Sequence, residues 1–280
     1  MNGFDDNLNL FKDKLPLVAS ASGATVNGKT FGATFEVIAG PCSVESEDSV
    51  VECALAVKKA GATMLRGGAF KPRTSPYAFQ GLKKVGLDYL VKAGRRVGLP
   101  TVSEIMSVRD IDAFADVDVL QIGARDMHNY ELLREVGRSN KPVLLKRGFS
   151  STIEEWLSSA EYILSEGNGN VILCERGVRN YAAVGKGILD FAAVDAVKSV
   201  TGLPVIVDPS HVSPSGKGVG SLALAAAAVG ADGVMIETHI SPCTALSDAE
   251  HQITPSELET IVNSTKTLLG ALGRQTADKR

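Results

Sequence analysis

What the chain lacks narrows its class first. Its four cysteines, Cys42, Cys53, Cys174 and Cys243, stand far apart with no close pair. Neither a disulfide framework nor a short-motif metal site is written there, and reduced thiols in a cytoplasmic protein are expected. Cys53 falls in a helical pattern and reads as a small core residue. No apolar run approaches the ~20 residues of a membrane span. The stretch from Met1 to Lys14 is acidic and mixed, without the basic and apolar regions of a secretory leader, so none is expected. Basic excess is missing too: 29 Lys and Arg stand against 32 Asp and Glu, for a net charge of -3. Such a balance offers nucleic acid no overall attractive field. The first apolar run is not followed by G-x-G-x-x-G, which argues against a dinucleotide-binding fold. No linker composition interrupts the chain, so no second domain is expected.

What remains is 280 residues, 44% of them hydrophobic, enough for one large core. Apolar runs of strand type recur from Phe35 onward: 35–39, 63–65, 100–102, 119–122, 142–145, 171–174, 204–207 and 233–236. Continuous β-branched and aliphatic runs suit strands buried on both faces of a parallel sheet. Helix signals fall between them. Ser46 with Glu47 and Asp48 opens a helix that Lys58, Lys59 and Gly61 close, matching the macrodipole. Capping boxes are read at Ser151-Thr152-Ile153-Glu154 and at Thr254-Pro255-Ser256-Glu257. Gly98, Gly202 and Gly230 mark helix ends. Eight strand–helix units in one domain-sized chain predict a closed (β/α)8 TIM barrel over residues 35–280. Asn27-Gly28, a two-residue turn signal between short apolar runs, predicts a short β-hairpin in an N-terminal extension over residues 1–34. That hairpin could cover one end of the barrel or contribute to an interface.

In such a barrel the loops after the strands build the active site. The richest is Leu65-Arg66-Gly67-Gly68-Ala69-Phe70-Lys71-Pro72-Arg73-Thr74-Ser75, where cations, hydroxyls and glycine backbone suit a phosphate ester. Arg66, Lys71, Arg73, Arg125, Lys146, Arg147, Arg176 and Arg179 all fall at this end. Like charges so gathered call for an anionic substrate. Two or three of them are expected to pair with Glu104, Glu175 or Asp208 instead. A second set, Cys42, His211, Glu237 and Asp248, offers a thiolate, an imidazole and two carboxylates to one divalent metal ion such as Mn, Fe, Co or Zn. His239 and His251 are rival ligands, ranked lower on position.

These segments resemble a family. Ala39-Gly40-Pro41-Cys42-Ser43-Val44-Glu45-Ser46 and the stretch from Leu65 to Tyr77 closely resemble the 3-deoxy-D-arabino-heptulosonate 7-phosphate (DAHP) synthases. The subgroup is the microbial one related to 3-deoxy-D-manno-octulosonate 8-phosphate synthase. Gln121-Ile122-Gly123-Ala124-Arg125, Leu144-Leu145-Lys146-Arg147-Gly148, Cys174-Glu175-Arg176-Gly177 and Asp208-Pro209-Ser210-His211 match as well. The resemblance runs from Phe35 to about Pro255, and the Lys-Pro-Arg-Thr-Ser loop is the feature that separates heptulosonate from octulosonate enzymes. It implies a cytoplasmic homo-oligomer, dimer or tetramer, that condenses phosphoenolpyruvate with the aldose phosphate erythrose 4-phosphate. It also implies roles. Phosphoenolpyruvate would contact Arg66, Lys71, Arg125, Lys146 and Arg176. Arg73 and Thr74 would hold the phosphate of erythrose 4-phosphate. Cys42, His211, Glu237 and Asp248 would hold the metal. Lys71 and His211 would take part in catalysis; Glu104 is assigned to the attacking water not from the resemblance but from its position at a strand end.

Several segments depart from the family pattern: Asn180 to Ile188, Val212 to Gly218, Ala249-Glu250-His251, and Asp126 and His128. They surround residues that match, so the open question is the acceptor. A different phosphosugar aldehyde is the nearest alternative, and a non-catalytic phospho-ligand-binding barrel is the alternative from another class.

Overall fold

A computed structural model describes residues 12–181, 187–213 and 215–275. Residues 1–11 of the extension, 182–186 and 214 of the divergent loops, and 276–280 at the end of the predicted barrel lie outside the described residues.

Eight parallel strands close into a barrel: β3 (Glu36–Gly40), β4 (Met64–Arg66), β5 (Thr101–Ile105), β6 (Val119–Ile122), β7 (Val143–Lys146), β8 (Val171–Glu175), β9 (Val205–Val207) and β10 (Gly233–Glu237). β10 pairs with both β9 and β3, which leaves no sheet edge. The helices are α1 (Pro16–Ser20), α2 (Glu47–Ala60), α3 (Lys83–Val97), α4 (Tyr130–Arg138), α5 (Ile153–Ser165), α6 (Phe191–Val200), α7 (Val219–Ala228) and α8 (Pro255–Ala271). No helix among the described residues is long and apolar enough to cross a membrane.

Local signals account for most boundaries. Ser46 accepts from the Ser49 N–H to open α2, and Gly61 closes it at φ 104°. Thr254 and Glu257 form the expected capping box of α8. The box at α5 is shifted by one residue from the expected place. Thr152, not Ser151, caps the helix with Glu155, while the Ser151 hydroxyl donates to the Gly148 carbonyl. Gly202 does not cap α6, which ends on Thr201; a Cβ there would lie 2.4 Å from the Ala21 carbonyl oxygen, so the glycine serves close packing. The third unit carries a 3-10 helix, Val108–Phe114, where a regular α-helix was expected.

The hairpin is present as β1 (Ala24–Val26) and β2 (Lys29–Phe31), with Asn27 at φ 49° and Gly28 at φ 76° in the turn. It closes one end of the barrel. Ala24, Val26 and Phe31 share a cluster with Ile38, Met64, Val102, Val119, Leu144, Ile172, Cys174, Ile206 and Met235. The Thr25 N–H and the Asn27 amide anchor it to Asn170 and Asp118, beside the starts of β8 and β6. Most of the other buried apolar residues form a separate cluster between strands and helices.

Side chains alternate along a strand, so the residue two beyond an inward apolar residue also points inward. From Met64, Val102, Val119, Leu144, Ile206 and Met235 that step reaches Arg66, Glu104, Gln121, Lys146, Asp208 and Glu237. The barrel interior is therefore an apolar floor under a polar layer. The expected runs ended one residue early at several strands: Arg66, Lys146, Glu175 and Glu237 are the last strand residues, not the first loop residues.

Candidate active site

The polar layer is wired across the barrel. Arg66 Nη1 donates to Glu237 Oε1 at 2.9 Å and to the Pro41 carbonyl at 2.9 Å. Lys146 Nζ lies 2.5 Å from Asp208 Oδ2, and His211 Nδ1 lies 2.7 Å from the same oxygen. Gln121 Nε2 donates to Glu104 Oε2 at 2.8 Å. Gly40 makes this packing possible: a Cβ there would sit 2.0 Å from the Arg66 carbonyl oxygen.

Asp208 is the residue that sequence reasoning placed only as a pairing partner. Burial works against its ionisation, yet His211 and Lys146 hold its carboxyl well below the ordinary range. Burial in turn pushes the His211 imidazolium down, with Asp208 opposing. A neutral His211 donating Nδ1–H to Asp208 leaves Nε2 free as a ligand, 3.7 Å from Glu237 Oε1.

Cys42, Glu237 and Asp248 bring ligand atoms within 4.8 Å of one another. Cys42 Sγ is 3.2 Å from Asp248 Oδ2. Burial, then the nearby Glu237 carboxylate, raises the Cys42 thiol to about 11. Glu237 is held below its ordinary value against burial by His211, Arg66 and Lys71, and its Oε2 is buried without a hydrogen-bond partner. A buried anionic oxygen with nothing to accept from is costly unless a cation meets it. These donors therefore fit a divalent metal of mixed softness. The ligand loops are braced by Gln252, which accepts from the Cys42 N–H and donates to the Ser247 carbonyl. The rival histidines are placed elsewhere: His239 Nδ1 accepts from the Ser241 N–H, and His251 Nδ1 meets the Ser213 carbonyl.

Lys71 stands beside this cluster. Its Nζ is 2.8 Å from the Cys42 carbonyl and 3.0 Å from Cys42 Sγ. Arg73 on the same loop reaches Asp248 at 3.9 Å, and Thr74 is exposed. Strand parity decides the neighbouring pair Lys146 and Arg147. Lys146 points inward. Arg147 points outward, to Glu175 at 2.9 Å, Asp190 at 3.0 Å and the Trp156 ring. It braces the outer core and does not enter the mouth.

Three cations remain. Arg125, Arg176 and Arg179 appear in no ion pair among the described residues, and all three lie over the ring of Phe149, at 5.3, 4.6 and 5.1 Å from its centre. Like charges gathered on one ring repel one another. An anion between them would relieve that. Burial, with Arg125 adding to it, lowers the basicity of Arg176.

The structure thus gathers Arg66, Lys71, Glu104, Lys146, His211, Glu237, Cys42 and Asp248 at one mouth, with Arg125 and Arg176 on the β6 and β8 loops beside it.

Comparison with known proteins gives this arrangement a context. The model of the DAHP synthetase I family matches residues 18–271. A phospho-2-dehydro-3-deoxyheptonate aldolase of Thermotoga maritima is 46% identical over 240 residues, spanning 85% of this chain and 71% of the relative. A 2-dehydro-3-deoxyphosphooctonate aldolase of Desulfatibacillum aliphaticivorans is 33% identical over 250 residues, spanning 82% and 90%. Among solved structures, a truncated 3-deoxy-D-arabino-heptulosonate 7-phosphate synthase from Thermotoga maritima superposes with a TM-score of 0.85 at 38% identity, over 93% of this chain and 100% of that one.

Proposed function

The chain belongs to the DAHP synthetase I family, and we propose on that premise that it is the transferase joining phosphoenolpyruvate to erythrose 4-phosphate. Water enters, and the products are 3-deoxy-D-arabino-heptulosonate 7-phosphate and inorganic phosphate, the first step of the shikimate pathway. The observation that carries this reading is the pairing of two features at one barrel mouth. One is a Cys42–Glu237–Asp248 cluster, buried at Cys42 and Glu237, with an unsatisfied Glu237 carboxylate oxygen. The other is a set of arginines, Arg125 and Arg176, that form no ion pair among the described residues.

Arg125 and Arg176 hold the phosphate of phosphoenolpyruvate, with Lys146 between phosphate and carboxylate and Arg66 orienting the carboxylate side. Arg73 and Thr74 hold the phosphate of the acceptor. Such positioning can supply on the order of 7–11 kcal/mol of the barrier. C3 of the enol ether attacks the aldehyde carbon, and Lys71 donates a proton or hydrogen bond to the aldehyde oxygen. Positive charge develops at C2, where Glu104 orients or deprotonates the water that adds. Collapse breaks the C–O bond and releases phosphate. The family is generally dependent on a divalent metal; Cys42, His211, Glu237 and Asp248 would hold it, and when bound it supplies Lewis-acid polarisation of the acceptor. Asp208 fixes the His211 tautomer for that task. The same reading makes the protein a cytoplasmic homo-oligomer, dimer or tetramer, which light scattering measures.

The test is phosphate release from phosphoenolpyruvate with a panel of aldose phosphates, with and without a chelator. Release with erythrose 4-phosphate and Mn2+, lost on chelation, is expected. A preference for a five-carbon aldose phosphate would move the assignment to the octulosonate side, a reading favoured by the phosphooctonate aldolases among the relatives. Lys71→Ala should abolish release with the fold intact; unchanged turnover would sink the enzymatic mechanism.

A further inference from the structure

Phe149 follows Lys146-Arg147-Gly148 at the end of β7 and is half-buried, yet it belongs to neither apolar cluster among the described residues. Its ring is met by guanidinium groups: Arg176 at 4.6 Å, Arg179 at 5.1 Å and Arg125 at 5.3 Å. The loop that carries it is tied to the loops that carry those arginines. The Arg179 N–H donates to the Phe149 carbonyl at 2.6 Å, joining it to the β8 loop. The Gly148 N–H meets Met127 Sδ at 3.0 Å, joining it to the β6 loop. An aromatic ring presents negative potential at its faces, and guanidinium is the cation most often placed over one. It attracts arginines without neutralising them, which a carboxylate would do. A carboxylate here would compete with a phosphate, whereas a ring leaves the N–H donors available to it.

We propose that Phe149 is a positioning residue that holds Arg125, Arg176 and Arg179 in place for a phosphate group through its ring, and that Arg179 is the third member of that phosphate site. This rests on the reading of Arg125 and Arg176 as the phosphoenolpyruvate phosphate ligands. Phe149 itself touches no reacting atom, so its loss removes binding shared by ground and transition states.

The experiment compares Phe149→Ala, Phe149→Leu and Phe149→Tyr with the wild-type protein, reading KM for phosphoenolpyruvate, kcat, and the affinity for inorganic phosphate by calorimetry. Phe149→Ala and Phe149→Leu should raise KM and weaken phosphate binding by about tenfold, with kcat within about twofold. Phe149→Tyr, which keeps the ring face, should stay within about threefold on every readout. Arg179→Ala should weaken phosphate binding while Arg179→Lys recovers part of it. Leucine behaving like tyrosine would overturn the inference, because bulk alone would then suffice; so would unchanged phosphate affinity in both Phe149→Ala and Phe149→Leu. If alanine does not fold, the leucine–tyrosine pair still decides. The calorimetric arm needs no turnover. Weakened phosphate binding in a wild-type background that releases no phosphate would uphold the role of Phe149 and remove the proposed reaction alone.

Discussion

Gly123→Ala moves Glu104 without altering its chemistry. A Cβ at Gly123 would lie 2.3 Å from Glu104 Oε1 and 2.7 Å from its Cδ, where ordinary contact begins near 3.4 Å. The carboxylate must retreat by about 1 Å, which parts it from Gln121 Nε2, now 2.8 Å from Oε2. Gly123 is not among the positive-φ glycines, so alanine itself is unstrained, and the displaced atom is the end of a flexible side chain. The cost to stability should be that of one hydrogen bond, about 1 kcal/mol. The cost to catalysis should be larger, because a 1 Å displacement in an active site can lose ~100-fold in rate, about 2.7 kcal/mol of barrier. Phosphate-release assays should show kcat down by about two orders of magnitude while KM for phosphoenolpyruvate changes little. Glu104→Gln should fall at least as far, and the double variant no further than Glu104→Gln, since both act through one group. A Gly123→Ala protein with kcat within threefold of wild type would refute the assignment of Glu104 to the attacking water.

Other expectations are smaller in scope. Phe31→Ala removes the largest side chain of the hairpin from the barrel floor and should cost about 3–5 kcal/mol in denaturant titrations, with KM unchanged if the folded fraction is unaltered. Glu36 sits above its ordinary pKa because burial disfavours its charge. Its ionisation therefore opposes folding above pH ~4.5, and Glu36→Gln should raise stability at pH 7 by a margin that vanishes as pH falls below that value. Metal binding must displace the proton of Cys42, whose thiol stands near 11. Apparent Co2+ affinity should then rise about tenfold per unit between about pH 6 and 8, and Cys42→Ser should lose both that slope and the thiolate-to-cobalt absorption band.

Much of this architecture is legible in the chain because barrel strands are self-announcing: buried on both faces, they read as unbroken aliphatic runs. Run counting stops where the apolar residues stop, so it loses the last strand residue whenever that residue is charged. Arg66, Lys146, Glu175 and Glu237 all fall there. Parity repairs this. Counting by twos from Leu144 and Ile206 reaches Lys146 and Asp208 on the inside, and counting from Leu145 reaches Arg147 on the outside. The same rule would have raised Asp208 from pairing partner to site residue. The 3-10 segment after β5 was not legible, because its seven residues, Val108–Phe114, are too few to carry a helical period. The role of Phe149 was not legible either. Three arginines from two loops converge on it only once the barrel closes.

The hairpin floor bears on how such a protein can change. Its apolar cluster is walled off by the sheet from the cluster under the helices, and it lies at the end opposite the mouth. Substitutions in the two compartments share no partners, so their effects should add. The loops at the mouth can then change without disturbing what keeps the strands in register. A lineage can thus explore new acceptor aldehydes at little risk to folding.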